Sequence, residues 1–174
     1  EDLSRLEYRG YDSAGIAVSD LRDGENRIEI LKAKGRLQAL KEMTDNGKAV
    51  SGTCGIGHTR WATHGEPSVA NAHPHCSKDK RIVVVHNGII ENYKELKEYL
   101  QKKGFVFQSE TDTEVVAHLL DYYYKGNPLE AIARALGRIR GSYALGILFK
   151  DQPGKIYAVR KDSPLIIGRS ENGN

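Results

Sequence analysis

Cysteine is scarce in this chain, which holds only Cys54 and Cys76. Two thiols in 174 residues make no disulfide framework, and the reading that follows is free thiols in a cytoplasmic protein. Long apolar runs are missing too. None approaches the ~18 residues that read as a membrane span. The opening Glu1-Asp2-Leu3-Ser4-Arg5 lacks the basic stretch and apolar core of a signal peptide. Charge of one sign is not concentrated anywhere. The net charge is only +3, and the longest basic cluster, Lys78-Asp79-Lys80-Arg81, contains an acid. A nucleic-acid stripe would be denser, so no nucleic-acid partner is expected. Repeats and low-complexity linkers are absent as well. What remains is a soluble, globular composition, 39% hydrophobic and 28% charged. The length suits one domain over residues 1–174 with a real core.

Hydrophobic period divides the chain into elements. Asp2–Tyr8 reads as the tail of a helix, with Leu3 and Leu6 at helical spacing. Ala14–Ser19 and Arg27–Lys34 read as a strand pair around the turn signal Asp23-Gly24. Leu37–Met43 is a short helix stopped near Asn46-Gly47. Cys54–Thr59 is strand-like, and its glycines at 52, 55 and 57 imply close backbone approach. A strand follows these glycines, where a phosphate loop needs a helix N-terminus. Residues 60–80 have little period and read as a long loop. Ile82–Val85 is a buried strand, and Asn92–Lys103 a helix ending at Gly104. Thr111-x-x-Glu114 predicts a capping box opening a helix over Glu114–Tyr124. Pro128 starts another helix, to about Ile139. Ser142–Phe149 and Ile156–Val159 are the last strands. Strands in runs and helices in runs predict an α+β layered fold, not a doubly wound sheet.

Several residues could carry chemistry. A zwitterionic ligand needs a guanidinium for its carboxylate and a carboxylate for its ammonium. Arg60, at the mouth of the long loop, and Asp112, beside the predicted helix start, supply both. Each also has a plainer reading. Arg60 could be a surface ion-pair residue, and an acid at a helix N-terminus is worth ~0.3–1 kcal/mol. Asn87-Gly88 reads two ways. The pair is a strong hairpin signal; it is also a pair of donors, side-chain NH2 and backbone N–H, that can stabilise an oxyanion.

His73-x-His75-Cys76 offers a metal alternative, with His58, His64 and His86 as further donors. No C-x-x-C or H-E-x-x-H accompanies it, so no metal is expected. Cys54 and His58 on one strand would stand ~13 Å apart, beyond the ~3 Å a catalytic base needs. Cys54 therefore reads as a small buried residue. Cys76, near His73 and His75, stays geometrically open as a nucleophile or as a plain loop thiol.

Taken jointly, the motifs resemble a known family. They are Leu6 through Gly15, Gly57 through Pro67, Asn71-Ala72-His73-Pro74-His75, Val84 through Asn92, Ser109 through Val115, and Ala158 through Leu165. This pattern resembles the glutaminase domain of the glutamine–fructose-6-phosphate aminotransferase (glucosamine-6-phosphate synthase) family. That family is a branch of the class II, N-terminal-nucleophile amidotransferases. Phosphoribosyl-pyrophosphate amidotransferases share the broad pattern but should read differently at several of these segments.

The resemblance implies a four-layer α/β/β/α sandwich of two antiparallel sheets, with L-glutamine as substrate and no cofactor. Arg60, Thr63, His64 and Asp112 would hold the amino acid, and His73 would support the pocket. Asn87 and Gly88 would form the oxyanion hole. Arg9 and Gly10 would order the wall beside the nucleophile, and Trp61 would gate ammonia. The nucleophile implied is an N-terminal cysteine whose own amino group is the base. The chain opens instead inside what reads as a later helix, and departs from the pattern after Gly168. It is therefore expected to be a fragment cut at both ends, inactive alone. Fructose 6-phosphate would bind in absent sugar-isomerase-type domains of a homo-oligomeric parent. The alternatives are a non-catalytic glutamine/glutamate-binding or regulatory module and the glutaminase domain of a phosphoribosyl-pyrophosphate amidotransferase.

Overall fold

The computed structural model describes residues 2–61 and 65–168. A 3-10 helix over Asp2–Arg9 leads into β1 (Ser13–Arg22). Asp23 and Gly24 take positive φ, 53° and 79°, and turn the chain into β2 (Glu25–Lys34). This tight hairpin sets the register, with Ala17 opposite Ile30 and Ser13 opposite Lys34. The helix α1 (Leu37–Met43) then crosses one face of the hairpin. Strand β3 (Cys54–Arg60) pairs antiparallel along the free side of β1, placing His58 opposite Gly15 and Arg60 opposite Ser13. Its glycines answer a steric demand, because a Cβ at Gly55 would stand 2.8 Å from the Ala17 carbonyl. The first sheet therefore has the order β2-β1-β3.

The second sheet is antiparallel throughout, in the order β4-β5-β6-β7. Its strands are β4 (His75–Cys76), β5 (Ile82–Ile90), β6 (Gly141–Phe149) and β7 (Tyr157–Lys161). Three helices lie between β5 and β6 in the chain: α2 (Tyr93–Lys102), α3 (Thr113–Tyr123) and α4 (Pro128–Leu136).

Strand alternation builds the layers. Ile82, Val84 and Ile90 of β5 and Tyr143, Leu145, Ile147 and Phe149 of β6 face the helices. There they pack with Leu96 and Leu100 of α2, Val115, Leu119 and Leu120 of α3, and Ala131 and Ala135 of α4. Each fully buried Leu, Ile or Phe contributes about 1.5–3 kcal/mol. The opposite faces of β5 and β6 meet the first sheet through Val83 and Leu148 against Ala17, with Ile28, Ile30 and Ile56 beside them. On the outer face of the first sheet, Ala14 and Ala33 cover Leu37 and Leu40 of α1. The layers thus run helix, sheet, sheet, helices. Asn26 staples the two sheets: its Nδ2 donates to the Lys150 carbonyl at 2.7 Å while its Oδ1 accepts from Ser19 Oγ at 2.7 Å. Among the described residues no helix is long and apolar enough to cross a membrane.

Five expectations need correction. Strand β5 does not stop at Val85 but runs to Ile90. Asn87-Gly88 is therefore no hairpin turn: Asn87 pairs with Ala144 and Gly88 with Tyr143 along a continuous ladder. The loop after Arg60 contains the short strand β4, held by His75 opposite Val84. Helix α4 ends at Leu136, three residues short of Ile139, with Gly137 as its C-cap. The predicted capping box is not formed either. The N-cap of α3 is Asp112, with no side-chain cap bond. Asp112 Oδ2 accepts instead from the Ile90 N–H at 2.7 Å, and Glu114 accepts from the Gln108 and Ser109 N–H groups at 2.9 and 2.7 Å. Both acids satisfy backbone outside their own helix, a demand local spacing cannot show.

Candidate functional site

A cleft of about 230 Å³ opens where the end of β3 meets β5 and the start of α3. Arg60, Trp61, His73, Asn87, Gly88 and Asp112 all line it. Six residues singled out from the sequence therefore come together.

Two opposite charges define the cleft. Arg60 is only 4% exposed and Asp112 6%. Arg60 Nη2 donates to the Gly65 carbonyl at 3.2 Å, and Nη1 stands 3.9 Å from Asp12 Oδ1. The guanidinium is thus anchored to the backbone of the loop and beside the Asp12 carboxylate. Gly10 packs on the same strand end, where a Cβ would lie 2.6 Å from the Thr59 carbonyl. A larger residue there would push β3 outward. Asn71 fixes the far side, donating to the Glu66 carbonyl at 2.9 Å and accepting from the Glu110 N–H at 2.9 Å.

Asn87 and Gly88 sit mid-strand facing this space. Gly88 has φ +135°, and a Cβ on it would meet the Ser142 carbonyl at 2.1 Å. Only glycine fits there. The Asn87 Oδ1 lies 2.9 Å from His58 Nε2. Its NH2 has no hydrogen-bonding partner among the described residues.

Four histidines surround these groups, and burial drives all four toward the neutral form. It pushes the His58 pKa down against the opposing hydrogen bond to Asn87. His73 lies well below the ordinary value, through burial and then the neighbouring His58 and His75. Burial, then the Lys32 charge, lowers His75 to about 3. His86 is lowered by burial, with Asp112 opposing; its Nδ1 lies 2.9 Å from Thr113 Oγ1. Near pH 7 the rings carry no charge, so Arg60 and Asp112 set the field.

Neither cysteine lines the cleft among the described residues. Cys54 packs with the apolar residues between the sheets, and burial raises its pKa. Burial also raises that of Cys76. Both are poor thiolates. The His73-x-His75-Cys76 set does not gather as ligands: His73 stacks on His58, and His75 Nε2 bonds Thr111 Oγ1 at 3.0 Å. Among the described residues no group of three or more His, Cys, Asp or Glu is placed to hold a metal ion. Thr63, His64 and the side chain of Arg9 lie outside the described residues. The sequence offers His58 only as a ligand or as a base for Cys54, Thr111 only as a capping residue, and Thr113 not at all. Their lining role depends on pairing across the two sheets, which local pattern does not encode.

A cleft lined by a buried cation, a buried anion and two hydrogen-bond donors suits an amino acid with a polarisable side-chain carbonyl. A family model described as a glutamine amidotransferase domain matches residues 58–174, and the chain belongs to that family. Among its relatives, the chain is 58% identical over 174 residues to the glutamine–fructose-6-phosphate aminotransferase (isomerizing) of Clostridium acetobutylicum, covering 100% of this chain and 28% of that protein. The enzyme of the same name from Thermus thermophilus is 53% identical over 175 residues, covering 100% and 28%. The chain thus spans about 28% of the length of these curated relatives. Among solved structures it resembles the glutamine phosphoribosylpyrophosphate amidotransferase from B. subtilis, with a TM-score of 0.71 at 30% identity, covering 85% of this chain and 31% of that one. The fold expectation of two antiparallel sheets with flanking helices is met.

Proposed function

We propose that this chain is the glutamine-holding part of a glutaminase site, and that the longer protein passes the released ammonia to fructose 6-phosphate. The carrying observation is the pair of buried, opposite charges, Arg60 and Asp112, in one cleft with the Asn87–Gly88 donors. Arg60 binds the α-carboxylate and Asp112 the α-ammonium. The side-chain amide then extends toward Asn87 and Gly88. A thiolate adds to the amide carbon, and the oxygen becomes an oxyanion stabilised by the Asn87 NH2 and the Gly88 N–H. The nitrogen takes a proton and leaves as ammonia, and water then cleaves the thioester to glutamate.

Cys54 and Cys76 are outside the cleft, so the thiol comes from a segment that these residues do not include, as the resemblance implies. Arg9 and Gly10 order the wall beside that thiol. Thr63, His64 and His73 complete the pocket, and Trp61, 59% exposed beside Arg60, gates the ammonia path. The acceptor assignment is supported by the names of relatives 52–59% identical to this chain, against 30–31% for the purine-pathway structures.

These 174 residues alone are expected to release no glutamate from glutamine. In the longer protein, Arg60→Ala and Asp112→Ala should each weaken glutamine binding by about 2–5 kcal/mol, since each strands one buried ligand charge. Titration calorimetry with glutamine measures this directly. Binding unchanged in both variants would end the reading, and binding without any turnover by the longer protein would favour a non-catalytic module.

A further inference from the structure

We propose that His58 is the positioning residue of this site: donating from Nε2 to Asn87 Oδ1, it fixes the Asn87 amide with its NH2 toward the cleft, and the His73 ring stacked on it, itself met edge-on by His75, holds it there. The inference rests on the oxyanion-hole reading of Asn87.

The need for such a residue is chemical. An asparagine amide has two ends of nearly equal shape, one a double donor and the other an acceptor. Packing barely distinguishes them. With NH2 forward, Asn87 stabilises a developing oxyanion. With oxygen forward, it repels one. Only a hydrogen-bonding partner behind the amide sets the orientation, and the neighbour within reach is His58 Nε2, at 2.9 Å.

A neutral imidazole can carry its single proton on either nitrogen, so the tautomer matters. Burial keeps the His58 ring neutral near pH 7. Its Nδ1 is buried with no partner in hydrogen-bond geometry among the described residues, the His86 carbonyl standing near the ring. A proton on Nδ1 would strand a buried donor and turn Nε2 into an acceptor, which invites the wrong end of Asn87. A proton on Nε2 makes the Asn87 bond and leaves a lone pair, not a donor, unsatisfied. The geometry thus favours the Nε2–H form.

The ring is held from behind. His58 stacks on His73 at 4.2 Å between centroids and 25° between planes, and His73 meets His75 edge-on at 4.8 Å. His75 Nε2 lies 3.0 Å from Thr111 Oγ1, which lies 3.1 Å from Ser109 Oγ. Ser109 Oγ donates to Glu114 Oε2 at 2.6 Å. Burial pushes the Glu114 pKa up, but the His118 ring 3.4 Å away and hydrogen bonds from Ser109 and the Gln108 and Ser109 backbone outweigh it and hold the carboxyl at about 2. The carboxylate is therefore an obligate acceptor. It takes the Ser109 proton, so Ser109 accepts from Thr111 and Thr111 accepts from His75. Each hydroxyl has one proton to give, so the chain runs one way only.

Two measurements on the full-length protein test the inference. Selective nitrogen-15 labelling of histidine should show His58 protonated at Nε2 and bare at Nδ1 near pH 7. The opposite tautomer overturns the proposal whatever any variant does. In glutaminase kinetics, His58→Phe keeps a stacking ring but removes the donor. It should lower kcat by about 10–100-fold, less than loss of the donor itself, with KM within about twofold. Combined with Asn87→Ala it should cost nothing further, because the two act as one unit. His58→Gln, which keeps an N–H, should recover part of kcat. Effects that multiply in the double variant, or a KM effect as large as that on kcat, sink the positioning role. If Asn87→Ala alone leaves kcat unchanged, the oxyanion reading fails and the inference with it. If His58→Phe does not fold, the tautomer measurement decides.

Discussion

Strand β5 separates two interiors that are built differently. On its helix side, Ile82, Val84 and Ile90 join a continuous apolar core with β6 and the three helices, dominated by Leu, Ile, Val and aromatic residues. On its other side, facing the first sheet, the apolar contact shrinks to a small group around Val83. Toward the strand's end it gives way to Asn87 and the imidazole stack. The difference teaches a division of labour along one strand. The apolar face anchors the backbone, so the polar face can hold uncommitted donors without collapsing. Buried polar groups are costly unless satisfied; here a rigid neighbour bears that cost.

The sharpest way to break this comparison is to cut each interior in turn. Phe149→Ala empties part of the helix-side core and should destabilise by about 3–5 kcal/mol. Leu148→Ala, in the small group between the two sheets, should fall near about 2 kcal/mol, the low end for leucine. Denaturant unfolding of the longer protein, followed by hydrogen exchange in each sheet, compares them. Equal losses would show that the two sheets share one core after all.

Next in size is Asn87→Ala. It should lower kcat for glutamine hydrolysis by ~10²–10³-fold, about 2.7–4 kcal/mol, with little change in KM. The thermal midpoint should barely move. A large fall in that midpoint would place Asn87 with the structural residues and erase the division.

Acid should loosen the seam before the helix-side core. His58, His73 and His75 have folded pKa values below the unfolded value near 6.5. At pH 7 all are neutral in both states, and their contribution to stability is fully present. As pH falls below about 6.5 the unfolded chain takes up protons that the folded site refuses. Stability then drops by about 1.4 kcal/mol per pH unit for each histidine, until for His75 the folded pKa of about 3 is reached. Glu114 adds a loss of the same sign at lower pH, between the usual carboxylate range and about 2. Amide exchange in β3 and β5 should quicken between pH 7 and 5.5. Flat protection over that range would mean the rings are already charged.

The smallest effect on stability belongs to Trp61→Ala. The ring is 59% exposed and meets Tyr11 edge-on at 5.3 Å, so the change should stay within about 0.5 kcal/mol. Its effect should appear in coupling instead. The ratio of glutamate released to amino sugar formed in the longer protein should rise well above one; a ratio that stays at one removes Trp61 from the ammonia path.

Much of this fold is legible in the sequence itself. The hairpin around Asp23-Gly24 and helix α1 follow from turn chemistry and period, signals that act over a few residues. Other features needed distant partners. Asn87-Gly88 looks like punctuation locally; it lies within a strand because β6 supplies the facing ladder. Glu114 looks like half of a capping box; its oxygens go to Gln108 and Ser109. His58 gained its place only from Asn87, which is 29 residues on. The resemblance to a family named residues that line one cleft, where spacing alone left alternatives open, yet it did not show which histidine stands behind the amide.

The staple from Asn26 to the Lys150 carbonyl spans 124 residues of chain. That separation has a consequence in time. Closing a loop costs entropy that grows with its length, and pairings between distant residues form slowly. The stretch from α2 to α4 folds on contacts close in sequence, so it has a head start. The two sheets can dock only after β6 has formed and returned beside the first hairpin. The cleft needs β3 beside β5 and is therefore expected to form last, an order that pulsed hydrogen exchange in β3 and α3 would check.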